Sequence, residues 1–209
     1  MRVLTEYEAM QFLGRHVPVA RIVVCKNSAE VVRCVKRFRF PVVLKLAGVL
    51  HKTDVGGVKV ARNYLELRNG YTKLMKTARS KKIRQKGIVV QEFVKGTEVI
   101  IGIKRDAAFG HAVMVGIGGI HVELLRDVSF RVCPITGKDA ASMVDELRMK
   151  QLLFGFRGSR PANVKLLTSV LVKVSRLPLR RRDIEELDIN PFMLNDKTGK
   201  VVDARIVLR

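Results

Sequence analysis

The spacing of apolar positions divides the 209-residue chain into short helices and strands with few long polar gaps. Thr5 and Glu8 have capping-box spacing, which predicts a helix over residues 6 to about 14. A short strand follows Pro18 within residues 17–25, and Ser28 is placed to cap a helix over residues 29–39 with Val31, Val32 and Val35 inward. Residues 40–60, FPVVLKLAGVLHKTDVGGVKV, open as an apolar strand, pass through a loop and re-enter a strand at Val58–Ala61. Residues 63–82 carry Leu65, Tyr71, Leu74, Met75 and Ala78 at roughly helical spacing, with Gly70 as a weak point. Strands are predicted at 87–94, 98–104, 112–115 and 122–135, and helices at 138–147 and 165–177. Residues 184–208 read as two strands around a turn at 195–200. This order predicts an α+β (α/β) chain without repeats, divided near Lys95 into a smaller lobe, 1–94, and a larger β-rich lobe, 95–209.

Composition narrows the class. Hydrophobic residues make up 47% and charged residues 28%, the balance of a folded chain and not of a disordered one. No apolar run has the length of a bilayer crossing, so no membrane partner is expected. The first ten residues, MRVLTEYEAM, lack the pattern of a secretory signal, and Cys25, Cys34 and Cys133 have no paired spacing, so a cytoplasmic location is expected. The 40 basic and 19 acidic residues give a net charge of +21, with clusters at 36–39, 79–86 and 180–182. Such an excess attracts polyanions. With no Trp, and no aromatic RNA-binding motif among the basic runs, nucleic acid is nevertheless not the expected partner.

Two stretches carry candidate chemistry. Lys45 interrupts the apolar strand at 42–46, where an ammonium must reach water or meet an anion. Beyond it, His51, Lys52, Thr53 and Asp54 lead to Gly56-Gly57, whose backbone can approach a phosphate closely. Together they suggest a nucleotide-phosphate site. Taken singly, the same residues also read as an edge lysine, a solvated histidine and a tight turn. The second stretch is ELDINP…VVDAR. Asp188 and Asn190 alternate onto one strand face, and Asp203 returns near Asn190, so two carboxylates and an amide converge as a hard cation such as Mg²⁺ requires. The alternative is a turn-capping Asp188 and an Asp203–Arg205 pair.

The passages LTEYEAMQFL, FPVVLKLAGVLHKTDVGGV, VVQEFVKGTEVIIGIKRDAAFGHAVMVGIGGIHVELLRDVSFRVCPI, LLFGFRGSRP and ELDINPFML…VVDARIVL cover most of the chain in order. Through them it resembles the ATP-grasp β subunits of ADP-forming acetyl-CoA synthetases, relatives of the succinyl-CoA synthetase β chain. The resemblance implies an ATP-grasp fold with ATP or ADP held between two lobes. It implies Lys45 on the phosphates, Glu92 with the backbone of Phe93 and Val94 at the adenine edge, and Glu98 near the ribose. Asn190 and Asp203 would hold Mg²⁺, with Asp188 at most behind them, and Arg131 is a further candidate for a phosphate contact.

The resemblance also gives His51 a role: it would take phosphate from a phosphohistidine on an α subunit that carries the CoA-binding domain, and deliver it to ADP, with Asp54 the local group that could orient the ring. The chain departs from the family where GRHVPVAR lacks the usual glycine before the proline turn and Phe38-Arg39-Phe40 replaces Ile-Gly-Tyr; neither change removes a site residue. The function implied is the nucleotide-binding half of an acyl-CoA synthetase that makes ATP reversibly. The alternatives are an ATP-grasp carboxylate ligase with another acceptor, or a non-catalytic basic module that binds RNA or an acidic partner.

Overall fold

The structure is a computed structural model that describes residues 1–49, 52, 54–119, 127–155 and 160–209. The chain runs β1 (Arg2–Val3), α1 (Glu6–Leu13), β2 (Ile22–Cys25), α2 (Ser28–Val35), β3 (Val42–Leu46), β4 (Val58–Ala61) and α3 (Tyr64–Ser80). It continues β5 (Ile88–Glu92), β6 (Thr97–Asp106), β7 (Gly110–Ile117), β8 (Val128–Val132), α4 (Gly137–Asp145), α5 (Gln151–Phe154), α6 (Val164–Ser175) and α7 (Leu177–Arg180). It closes with β9 (Ile184–Leu194), β10 (Gly199–Val201) and β11 (Ala204–Leu208). No helix among the described residues is long and apolar enough to cross a membrane.

Polar side chains set the helix starts. Thr5 and Glu8 form the expected capping box of α1, the Thr5 hydroxyl accepting from the Glu8 N–H while the Glu8 carboxylate accepts from the Thr5 N–H. Asn27, not Ser28, caps α2, because its side-chain oxygen accepts from the Glu30 N–H at 2.9 Å. That helix stops at Val35, short of residue 39, and the chain turns through Arg37 and Phe38 on hydrogen bonds to Cys34 and Val35. Asn63 caps α3 in the same way, accepting from Glu66 at 2.8 Å. Of the strand expected at 122–135, the described part is β8; residues 120–126 lie outside the described residues.

The chain forms two compact units, Ala20–Phe93 and Met1–Val19 with Val94–Arg209. The first is a four-stranded antiparallel sheet, β2-β5-β3-β4, with α2 packed on β2 and β5 and α3 packed on β3 and β4. Its core joins Val42, Leu44 and Leu46 of β3 to Ile88 and Val90 of β5 and to Val31, Val35, Leu67 and Leu74 of the helices. Gly70 lies where α3 crosses this sheet: a Cβ there would sit 3.2 Å from Leu44 Cδ1, so the missing side chain lets the helix lie close. Cys25 and Cys34 meet in the same core as free thiols 3.3 Å apart, and burial pushes Cys25 up to about 12.

The second unit is a seven-stranded sheet, β1-β11-β9-β6-β7-β8 with β10 beside β9, covered by α4 and α6 over β6–β8 and by α1 over β11. The division into 1–94 and 95–209 is therefore corrected: residues 1–19 fold with the C-terminal part of the chain. Arg2 and Val3 pair with Leu208 and Val207, the Leu4 N–H donates to the Ile206 carbonyl at 2.9 Å, and the Val201 N–H donates to the Pro18 carbonyl at 3.0 Å. A two-residue strand has no periodicity to read, and its partner lies some two hundred residues away.

This pairing predicts that deleting residues 1–4 exposes β11 selectively. Amide exchange at residues 206–208 should accelerate by the equivalent of about 1 kcal/mol per hydrogen bond lost, with exchange in Ala20–Phe93 unchanged. Loss of protection in β2–β5 would contradict the division of the chain described here.

Candidate functional site

Within Ala20–Phe93, β3 is an interior strand flanked by β5 and β4, and Lys45 on it is only 5% exposed. The edge-lysine alternative is thereby excluded. Lys45 lies opposite Val89 and Val58, out of phase with Leu44 and Leu46, so it projects from the sheet face away from α2 and α3. Val43 is in phase with it, and Val43 lies opposite Gln91, which is 1% exposed. One face of this sheet thus carries a buried ammonium and a buried amide set among valines. The glycine turn lies beside the same strand: the Leu46 N–H donates to the Gly57 carbonyl at 3.0 Å, and the Gly57 N–H donates to the Lys52 carbonyl at 2.6 Å. Gly56 has φ +71°, and a Cβ on Gly57 would lie 2.9 Å from the Lys52 carbonyl oxygen, so the turn needs both glycines. Asp54 is exposed in this turn, and His51 lies outside the described residues.

At the end of β5 the phase of the strand sorts the two polar residues differently from the sequence reading, which singled out Glu92. Glu92 is in phase with the core residues Ile88 and Val90, and its carboxylate turns back to accept the Arg21 N–H at 3.2 Å. Gln91 is the member that shares a face with Lys45. The signal that identifies it is the one that identified Lys45, a polar residue within an apolar strand run. Phe93 is exposed and Val94 is buried, and the chain passes from one unit to the other between them.

In the other unit Glu98 is the second residue of β6, opposite Met193, and is exposed. Its carbonyl accepts the Gly118 N–H at 2.6 Å, and a Cβ on Gly118 would sit 2.7 Å from the Glu98 Cβ. The G-x-G-G run at 116–119 therefore packs on Glu98 through Gly118 and Gly119. Arg131 on β8 is tied down elsewhere. Its guanidinium forms an ion pair with Glu146 at the end of α4 and donates to the Phe130 carbonyl at 2.8 Å, which makes it a brace between helix and sheet.

The carboxylate–amide–carboxylate set lies on β9 and the segment before β11. Ala204 pairs with Ile189 and Arg205 with Asp188, so Asp203 comes opposite Asn190, and the Asn190 N–H donates to the Asp203 carbonyl at 3.2 Å. Asp188 faces Gly102 on β6, which carries no side chain to crowd it. Burial pushes the Asp188 carboxyl above its ordinary range, and the charges of Glu186 and Asp203 add to that push while Arg205 opposes it. Arg205 itself pairs with Glu186 at 3.0 Å. Among the described residues no three carboxylate, imidazole or thiol groups cluster as a metal cage. Two carboxylates with an amide fit Mg²⁺, which keeps waters and completes its shell with substrate phosphates, and a divalent cation relieves the repulsion around Asp188.

Comparison with known proteins matches the whole chain. A family model described as an ATP-grasp domain aligns with residues 1–208. The chain is 40% identical to the acetate–CoA ligase [ADP-forming] I subunit beta of Pyrococcus furiosus, over 99% of this chain and 92% of that one. Among solved structures it is similar to the dinucleotide forming acetyl-coenzyme A synthetase 1 of Ca. Korarchaeum cryptofilum in complex with coenzyme A, Ca-AMPCP and HgCl⁺. That match has a TM-score of 0.95 at 42% identity, covering 100% of this chain and 94% of that one. A second structure of that synthetase holds coenzyme A and Mg-AMPPCP, with its phosphohistidine segment pointing towards the nucleotide binding site. It gives a TM-score of 0.87 at 42% identity over 99% of this chain and 93% of that one.

The Arg131–Glu146 brace has a pH signature. Arg131 first, then the Ser129 hydroxyl, holds the Glu146 carboxyl down at about 2, against an ordinary 4.5. A depressed pKa contributes stability that is present above the unfolded value and is lost as pH falls through the folded one. In denaturant unfolding the advantage of the native chain over Glu146→Gln should hold at neutral pH and shrink between about 4.5 and about 2. A difference that stays constant across that window would show that the ion pair is not its source.

Proposed function

We propose that this chain, which belongs to the ATP-grasp family and within it to the β subunits of ADP-forming acetate–CoA ligases, is the nucleotide-binding subunit of an ADP-forming acyl-CoA synthetase. With an α subunit it catalyses acyl-CoA + ADP + phosphate ⇌ carboxylic acid + CoA + ATP. The observation that carries this reading is the end-to-end match to a synthetase solved with coenzyme A and nucleotide analogues. The buried Lys45, the glycine turn and the Asp188–Asn190–Asp203 set are chemically what such a site needs.

In this reading Lys45 neutralises nucleotide phosphate, and the turn through Gly56 and Gly57 brings backbone close to it. Asn190 and Asp203 would hold Mg²⁺, with Asp188 behind them, and the ion would supply positive charge to offset that of the phosphates. A ring nitrogen of His51 bonds to the phosphorus of the α subunit's phosphohistidine as the original P–N bond breaks. A terminal β-phosphate oxygen of ADP then bonds to that phosphorus, and the neutral His51 imidazole leaves, so ATP forms with His51 regenerated. Asp54 orients the ring. Phosphoryl transfer asks little of the protein beyond this positioning and charge neutralisation.

The test is ATP formation by the chain assembled with its α subunit. His51→Asn should lower turnover at least about a hundredfold, while Mg·ADP affinity stays within about twofold. Asn190→Ala should raise the Mg²⁺ concentration needed for half-maximal rate by roughly ten- to a hundredfold. Full turnover in His51→Asn would remove the relay, and an unchanged Mg²⁺ requirement in Asn190→Ala would remove the metal assignment.

A further inference from the structure

A nucleotide and its metal leave most of the +21 charge without a role. Part of it is concentrated at one place in the unit Met1–Val19 with Val94–Arg209. Arg15 and His16 follow the C-terminal end of α1, Lys173 and Arg176 close α6, and Arg180 ends α7. With Leu177 these residues line a cavity of about 310 Å³. None of them belongs to the strands and turns that carry Lys45, Glu98 or Asp188.

The cations are not there to satisfy carboxylates. The ion pairs formed among the described residues use none of Arg15, Lys173, Arg176 and Arg180. The neighbouring Arg181 behaves differently: it pairs with Asp183 at 3.0 Å and lies over the Phe12 ring at 5.5 Å. Helix ends account for only part of the cluster. The C-terminal carbonyls of α1 and α6 supply roughly half a negative charge each, which leaves about three of the four permanent charges unanswered. His16 registers the resulting field. Burial and then the charges of Arg180 and Arg15 hold its imidazole below the ordinary range, while Phe12 meets its ring edge-on at 5.3 Å.

Three of the four cations are arginines, whose planar forks match the oxygens of a phosphoryl group. The volume lies at the small end of ligand cavities, about 300–1,000 Å³, which suits a compact molecule better than a polymer. Leu177, buried at the junction of α6 and α7, fixes the floor. We propose that Arg15, His16, Lys173, Arg176 and Arg180 form a second anion site that takes a small phosphorylated compound bearing a diphosphate or comparably dense negative charge.

The test is calorimetric titration of inorganic pyrophosphate into the full chain, without divalent cations and at fixed ionic strength. Arg176→Gln/Arg180→Gln and the separate variant Arg15→Gln change exposed side chains on different elements, and unfolding midpoints confirm that each remains folded. Affinity should fall roughly tenfold or more in both variants and stay within about twofold in Lys73→Gln, an exposed cation on α3 in the other unit. Equal binding in native and variant chains, or an equal loss in Lys73→Gln, would overturn the proposal. So would tighter binding of a short single-stranded RNA that the same arginine variants abolish, since the charge would then serve nucleic acid.

Discussion

An ammonium placed on the interior strand of a sheet is tolerable only where negative charge or strong hydrogen bonding answers it, and the small sheet is built around that constraint. Lys45 is held by a strand that is paired on both sides, on the face that the helices leave to it. The rest of that unit serves the placement. Leu44 and Leu46 anchor the opposite face in the core, Gly70 lets α3 press close to it, and the Gly56-Gly57 turn is hydrogen-bonded to the end of the same strand. A residue whose charge is costly to bury is thus fixed in position before any ligand arrives, the preorganisation that electrostatic catalysis requires.

The larger sheet stores the opposite charge. β9 pairs with β6 on one side and with β10 and β11 on the other, so Asp188 is set by two ladders at once, while Asn190, at the β6–β9 irregularity, is tied to Asp203 through its N–H. Burial first, and then the charges of Glu186 and Asp203, make the Asp188 carboxyl costly to ionise, a cost that a bound cation would offset. In the proposed function the lysine of one unit answers the phosphates of a magnesium nucleotide, and the carboxylates of the other answer its metal.

Much of this was legible because polar residues stand out within apolar strands. Lys45 in VVLKL and Asp188 with Asn190 in ELDINP announce themselves against the period of two, and Asp203 could be brought opposite Asn190 by counting through a turn. What escaped was long-range pairing and strand phase. β1 contributes two residues whose partners lie at the other end of the chain, which moved residues 1–19 into the other unit. Gln91 and Glu92 were indistinguishable until the β3–β5 register put the first beside Lys45's face and the second in phase with the core. The basic cavity was hidden for the same reason: Arg15 and Arg180 are meaningless to each other in sequence and neighbours in the fold.

The central claim is that the chain itself binds a magnesium nucleotide through these two charge sets. Calorimetric titration of ADP into the purified chain, with and without Mg²⁺ and again in Lys45→Ala, tests it most directly. The account predicts one site per chain, tighter with Mg²⁺ than without, and weakened by roughly tenfold or more when Lys45 is removed. Binding that ignored both the metal and the lysine would contradict it.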